Sequence, residues 1–304
     1  MNEGLIILNK PKGPTSAECL NRIKKKFGIK KIGHAGTLDP MASGVLVVMI
    51  GQATKLADYI MEGRKTYKGS LRLGLETDTY DIEGNIIREY DYTGISSDKI
   101  SRCIKDWETL KCQEVPPVSA AKHKGRPLYA LQRAGQTVPI KIKNIDIFRT
   151  DVIKIDIPLS SFRITSSAGV YVRSLAHSLG KRLGCGAVLT ELIREQSHPF
   201  GLDKAVGLDL LLQTSHWQDF ILPISEALNH WPRLVLDERL QAFVRNGRPI
   251  DYALLPQDNP EENSMALMVS RSGSPEAIAS LEAQKDGRLL WTIKRGLWTS
   301  KNDN

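Results

Sequence analysis

Cysteine is scarce in this 304-residue chain. The four, Cys19, Cys103, Cys112 and Cys185, include no pair at Cys-x-x-Cys spacing, and no histidine stands close enough to complete a zinc motif. No metal is therefore expected, and the cysteines read as buried thiols of a reducing compartment. Long apolar runs are missing too: nothing approaches the ~20 residues of a membrane-spanning helix. The first residues, Met1-Asn2-Glu3-Gly4, hold no basic region followed by an apolar segment, so no secretory signal is expected and the cytoplasm is the expected location. There is no P-loop and no dinucleotide fingerprint, which removes the common nucleotide-dependent classes. Internal repeats and low-complexity tracts are absent. Negative charge is in the minority, 34 acidic against 42 basic residues, for a net charge of +8 and a pI near 9.2. That balance points to a polyanionic partner, nucleic acid before membrane. With 41% hydrophobic and 25% charged residues, the composition is that of a soluble globular protein with room for one large core or two domains.

What the chain does have is a glycine-punctuated loop with one carboxylate in it. Residues 33–44 read Gly-His-Ala-Gly-Thr-Leu-Asp-Pro-Met-Ala-Ser-Gly. They lead into an apolar, β-branched run, residues 45–50, that predicts a buried strand. Asp39 precedes Pro40, which lacks a backbone donor and turns Asp39 away from helical angles. Asp39 is thus either a turn-starting aspartate or a carboxylate held on a stiff loop for chemistry.

Around this loop the elements fall in order. Residues 5–8 predict a short buried strand and residues 9–16 a proline-glycine turn. Thr15 and Glu18 have capping-box spacing for a helix that buries Cys19, Leu20, Ile23 and Phe27 and stops at Gly28. Its outer face and tail carry Arg22, Lys24, Lys25, Lys26, Lys30 and Lys31, suited to phosphates or simply to water. Residues 52–62 predict a helix. Residues 66–74 alternate, which puts Tyr67 on the apolar side as a core tyrosine or as a ring against a base. A polar turn at 77–85 carries Asp81, and residues 97–107 predict another helix. Residues 111–154 are dominated by lysine and arginine and broken by proline and glycine, a composition fit to clamp an RNA backbone.

Residues 145–148 and 152–157 read as paired strands, and 161–167 as a further strand. A helix then begins near Val170, with Arg173 in or next to its first turn. The helix dipole disfavours a cation there, so a specific anionic partner is expected. A short amphipathic helix at 223–229 and the Trp231-Pro232 junction follow. Beyond them, strands at 266–270 and 289–294 with intervening turns predict a small β-domain of about 70 residues.

Residues 33–44 resemble the active-site loop of the TruB family of tRNA pseudouridine synthases, G-H-x-G-x-L-D-P-x-A-x-G, at all eight fixed positions. Further resemblances occur in family order over roughly the first 200 residues. Lys10 to Ser16 is similar to K-P-x-G-x-T-S, and Lys65-Thr66-Tyr67 to the motif whose tyrosine lies against the target base. Residues 77–84 resemble T-D-T-x-D-x-x-G, and residues 116–135 resemble the thumb insertion that presses on the RNA stem. Gly169 to Leu175 is similar to G-x-Y-[IV]-R-[ST]-L, whose arginine pairs with the catalytic aspartate. Residues 186–194 resemble G-A-H-L-x-x-L-R-R, with Val188 and Ile193 departing from it.

The resemblance implies an α+β fold: a pseudouridine synthase domain over 1–230 with a central mixed, mostly antiparallel sheet flanked by helices, and a thumb-like insertion at about 116–143. A PUA-like RNA-binding domain is implied over 232–304, separable enough that a chain ending near His230 is expected to fold. It further implies isomerisation of uridine-55 in the tRNA T loop, with the N1 glycosidic bond broken and uracil rejoined through C5. No cofactor or metal is needed. Asp39, Tyr67 and Arg173 would be catalytic; His34, Tyr67, Tyr171, Leu192 and Asp81 would hold the substrate, His34 as the group that fills the place of the extruded base. The partner would be the T-arm of tRNA, with no membrane and no obligate protein partner, the chain acting as a monomer. Two other readings stay open: an RNA-binding protein with an idle site, and a carboxylate hydrolase using Asp81 as second acid.

Overall fold

The structure, a computed structural model, describes residues 3–298 apart from 120, 135, 137, 259 and 260. Gly135 of the basic stretch therefore lies outside the described residues, as do the side chains of Lys122, Tyr129 and Arg133. The main sheet has nine strands. They are β1 (Gly4–Lys10), β2 (Ile32–Ala35), β3 (Ala42–Ile50), β4 (Lys65–Leu73), β5 (Ile147–Asp156), β6 (Leu159–Ser166), β7 (Ala187–Ser197), β8 (Phe200–Gly201) and β9 (Val206–Gly207). Their order is β5-β6-β4-β7-β3-β1-β9, with β2 on β3 and β8 on β7. The pairs β1–β9 and β3–β7 are parallel and the others antiparallel, so the expected mixed sheet is present.

One edge of β3 changes partner along its length. Ala42 to Gly44 pair with β7, and Val47 to Ile50 pair with β2. The Asp39 loop leaves β2 and re-enters β3 at this split.

Helices cover one face. Helix α1 (Ser16–Phe27) has the capping box between Thr15 and Glu18, and it ends at Gly28 in the left-handed conformation. Helix α2 (Ser97–Lys105) and helix α3 (Val172–Leu183) pack on the same side. Ile6, Leu8, Leu46, Val48, Tyr67 and Leu71 face these helices in one apolar cluster. Leu5, Ile7, Val45, Val47 and Met49 point the other way, also buried. Burial on both faces explains why β1 and β3 read as continuous apolar runs.

Several local expectations give way to tertiary context. Residues 145–148 and 152–157 are not a strand pair. They lie largely within one strand, β5, which hairpins onto β6 through Ile157-Pro158. The polar Arg149-Thr150-Asp151 lies within the strand, with register shifts on either side of it. Residues 52–62 form a 3₁₀ segment, Gly51–Leu56, with one α-helical turn, Ala57–Met61, rather than a single helix. Cys112 is exposed, while Cys19, Cys103 and Cys185 are buried as expected. It begins a short strand, Cys112–Glu114, that pairs with Ile142–Asn144 at the root of the basic stretch.

Residues 233–296 form a separate five-stranded sheet, which we propose as the PUA-like module expected over 232–304, with 1–230 as the catalytic unit. One face of this sheet encloses a cluster of its own, with Leu234, Met268, Leu281 and Trp291, and the other joins the main sheet: Leu267, Val269, Ile278 and Leu297 pack in one group with Leu5, Ile7, Val45, Val47 and Met49. Truncation after His230 would therefore uncover part of the back of β1 and β3, the rest staying under Leu56, Ile60, Phe200 and Leu228. Exposing a buried side chain of this size costs about 1.5–3 kcal/mol. A few of them approach the whole net stability of a domain, about 5–15 kcal/mol. The truncated chain is expected to aggregate or to melt well below the full chain, contrary to the sequence expectation; an unchanged melting temperature would refute this.

Candidate active site

Asp39 sits between β2 and β3 on a loop held from below by the turn after β1. The Ser16 hydroxyl donates to the Leu38 carbonyl at 3.0 Å and accepts from the Leu38 N–H at 2.9 Å. Gly13 N–H donates to the Pro40 carbonyl at 2.9 Å, and the Ala42 N–H to the Asp39 carbonyl at 3.1 Å. The fully buried Lys10 amine donates to the Pro11 and Pro14 carbonyls at 2.8 Å each and lies 3.5 Å from that of Pro40. Burial pushes the Lys10 amine below the usual lysine range. Lys10 and Ser16 are thus loop anchors. The sequence offered Lys10 to Ser16 only as a motif, without a role for either.

Arg173, the second residue of α3, reaches across to this loop. Its Nη2 donates to Asp39 Oδ1 at 3.1 Å, and its Nε lies 2.9 Å from Asp39 Oδ2 as an ion-pair contact outside hydrogen-bond alignment. On its other side, Nη1 lies 3.4 Å from Asp81 Oδ2 and donates to the Thr79 carbonyl at 2.8 Å. Nη2 also donates to the Val118 carbonyl, at the start of the basic insertion, at 3.1 Å. A cation at a helix start is thereby explained by two carboxylates and two carbonyls.

Asp81 is more tightly held than the sequence suggested. Thr79 donates its hydroxyl to Asp81 Oδ1 at 2.7 Å, and the Glu83 N–H donates to the same oxygen at 3.1 Å. The turn is docked against β7, with Ile82 N–H on the Leu189 carbonyl and Leu189 N–H on the Tyr80 carbonyl. Burial pushes the Asp81 carboxyl above the usual range, against the opposing pull of Thr79 and Arg173. The two acids differ in access: the Asp39 side chain is 34% exposed, that of Asp81 8%.

Tyr67 lies on β4, buried, in the cluster that also holds Leu38, Met41 and Leu192. Leu192 stands on β7, in register with Ala42 of β3 and Gly69 of β4. Tyr171 precedes α3, and its backbone is clamped by the Gln113 side chain, which accepts from the Tyr171 N–H at 2.8 Å and donates to its carbonyl at 3.1 Å. Burial pushes the Tyr171 hydroxyl up.

His34 is not on the Asp39 loop. It belongs to β2, paired opposite Val48, because residues 32–35 add to the edge of β3 that β7 leaves free. No hydrogen bond or ion pair joins it to Asp39 among the described residues. Its ring is half-buried with Nδ1 unpartnered, and burial followed by the charge of Arg194 lowers its pKa. The structure thus brings Asp39, Arg173 and Asp81 into direct contact, gathers Tyr67 and Leu192 in the adjoining apolar cluster, and leaves His34 to one side.

A family description, TruB family pseudouridylate synthase (N terminal domain), matches residues 24–172, which include Asp39, Tyr67 and Asp81. The tRNA pseudouridine synthase B of Nitratidesulfovibrio vulgaris strain Miyazaki F is 48% identical over 97% of this chain and 97% of its own. The chain belongs to the TruB family. It is therefore a pseudouridine synthase, an isomerase. The tRNA pseudouridine synthase B of Geobacter sulfurreducens is 40% identical over 81% of this chain and 82% of its own. Among solved structures, a Cbf5–Nop10–Gar1 complex contains a chain that superposes with a TM-score of 0.73 at 22% identity, over 98% of this chain and 85% of that one. In fold, that likeness runs through the C-terminal sheet as well.

Proposed function

We propose that this enzyme converts uridine-55 in the T loop of tRNA to pseudouridine, with Asp39 as its essential carboxylate. That tRNA is the substrate class follows from its relatives, named tRNA pseudouridine synthase B. What supports Asp39 as the reacting group is its place on Arg173: of the two acids that share this guanidinium, Asp39 alone keeps substantial solvent access. Asp81, buried on the far side, orients Arg173. The ionised Asp39 attacks the sugar C1′, assists abstraction at C2′, or adds to uracil C6. Tyr67 supplies a ring and a hydroxyl beside the detached base.

A uridine stacked in a loop is out of reach of Asp39, so it is extruded first at a cost of a few kcal/mol. Stacking on Tyr67 and phosphate contacts from the basic stretch offset this. Tyr171 and Leu192 pack on the extruded nucleotide, and the half-exposed His34 fills the vacated place. The reaction is a rearrangement within one nucleotide and requires no cofactor.

Tritium release from C5-labelled uridine tests the proposal directly. A T-arm transcript labelled at position 55 should release its tritium fully, and one labelled elsewhere should not. Tight binding without release would indicate an RNA-binding protein with an idle site. Release from another position would overturn the assignment to uridine-55.

A further inference from the structure

Arg194 is 2% exposed, near the end of the main sheet's central strand β7, and forms no ion pair among the described residues. A buried cation without a counter-charge is costly unless its donors meet fixed acceptors. Arg194 meets two. Its Nε donates to the Val45 carbonyl at 2.7 Å and its Nη2 to the Gly36 carbonyl at 2.9 Å. These carbonyls bracket the Asp39 loop, one before Asp39 and one after.

The sheet explains why an arginine stands there. Where β3 exchanges β7 for β2, Val45 lies between the two partners, and its carbonyl needs a donor. Arg194 is at the split itself, in register with Gly44 of β3 and with Tyr67 of β4. Gly44 has φ +103°, and a Cβ there would lie 2.3 Å from the Arg194 carbonyl oxygen, so only glycine admits this approach. One residue therefore touches both flanks of the Asp39 loop and pairs with the strand position of Tyr67.

We propose that Arg194 is a positioning residue for pseudouridine formation, fixing the Asp39 loop relative to Tyr67 through the two carbonyls that its planar guanidinium bridges. This rests on the reading of Asp39 as the reacting carboxylate. Burial first, and then the same Arg194 charge, lower the His34 pKa, a second effect of Arg194 beside the site. Lysine donates from one nitrogen and lacks the separated Nε and Nη2 of the planar guanidinium that meet the two carbonyls here, whereas glutamine is shorter and carries no charge.

Single-turnover rates at saturating T-arm RNA, Kd for the same RNA, and the titration of the His34 ring by NMR in the full chain test this for Arg194→Lys and Arg194→Gln. A misplacement near 1 Å can cost ~100-fold. Both variants should therefore lose about 10- to 100-fold in rate with Kd within about 3-fold, and the His34 titration should move upward in Arg194→Gln only. Unmutated protein and Asp39→Asn run alongside. Unmutated protein that forms pseudouridine while Asp39→Asn does not keeps the Asp39 reading intact, so that a failure here belongs to Arg194. An unchanged rate in Arg194→Lys overturns the proposal, as does weakened binding with an unchanged rate at saturation. If both variants lose rate only in proportion to their unfolded fraction, measured by circular dichroism, Arg194 holds the fold alone and the proposal fails.

Discussion

Asp39→Asn is expected to abolish pseudouridine formation while leaving tRNA affinity nearly unchanged. Asparagine keeps the size of the side chain, and its carbonyl oxygen can still accept from Arg173 Nη2, which lies 3.1 Å from Asp39 Oδ1. The loop remains pinned by Ser16, Gly13 and the Asp39 carbonyl, none of which depends on the carboxylate. Only the charge and nucleophilicity disappear. Asp81 offers no substitute, since both of its oxygens are engaged and its side chain is buried. Loss of a group that forms the reacting bond typically removes at least ~10⁴-fold in rate. On the proposed reading affinity comes from the basic stretch and base stacking, so removing a negative charge near phosphates should tighten binding slightly. Pseudouridine formed in a defined T-arm at saturating enzyme, beside a Kd at one stated salt, checks both halves. Persistent turnover would reduce Asp39 to the first residue of an Asp-Pro turn.

Arg173→Ala is expected to be the second most damaging change, and to harm stability as well as rate. The arginine side chain is 5% exposed and holds Asp39, Asp81, Thr79 and Val118 together, elements far apart in sequence. Breaking a buried pair costs about 3–5 kcal/mol. The Asp39 half is discounted because that carboxylate is a third exposed. Turnover should fall at least ~100-fold with little change in RNA affinity.

A pH signature should accompany it. Burial already raises the Asp81 carboxyl, and Arg173 opposes that rise, so the variant raises it further. A carboxyl with a raised folded pKa keeps its proton where the unfolded chain has lost it. Its contribution to stability is then lost as pH rises through the folded value. The variant should therefore lose stability towards neutral pH more steeply than the unmutated protein, as chemical denaturation at several pH values will show. Normal turnover with weakened, salt-sensitive binding would instead assign Arg173 to the RNA backbone.

Much of this site was legible in the sequence because its signals are local. The capping box at Thr15 and Glu18, the αL glycine after α1 and the alternation of β4 each arise within a few residues and appear as expected. Asp39 on a stiff loop and an arginine misplaced at a helix start were equally readable, since proline restriction and the helix dipole act at short range. The TruB resemblance named their pairing, which the sequence alone could not measure.

Other features depend on contacts that no window contains. Pro275–Ala283, rich in alanine and glutamate, forms a strand only because buried neighbours flank it on two sides. His34 became a strand residue because β3 had an edge to fill, and the joining of the C-terminal sheet to β1 and β3 was invisible in two separately plausible modules. The sequence by itself marked many of the elements, a carboxylate on a stiff loop, and an arginine that wants an anionic partner. Only the tertiary structure decided that Arg173 grips Asp39 from 134 residues away, that Asp81 shares the same guanidinium, and that Arg194 stands buried where β3 changes partners. The reason is physical: caps and periodicity are set by neighbouring residues, whereas the register of nonadjacent strands and the burial of a charge are set by the whole packed sheet.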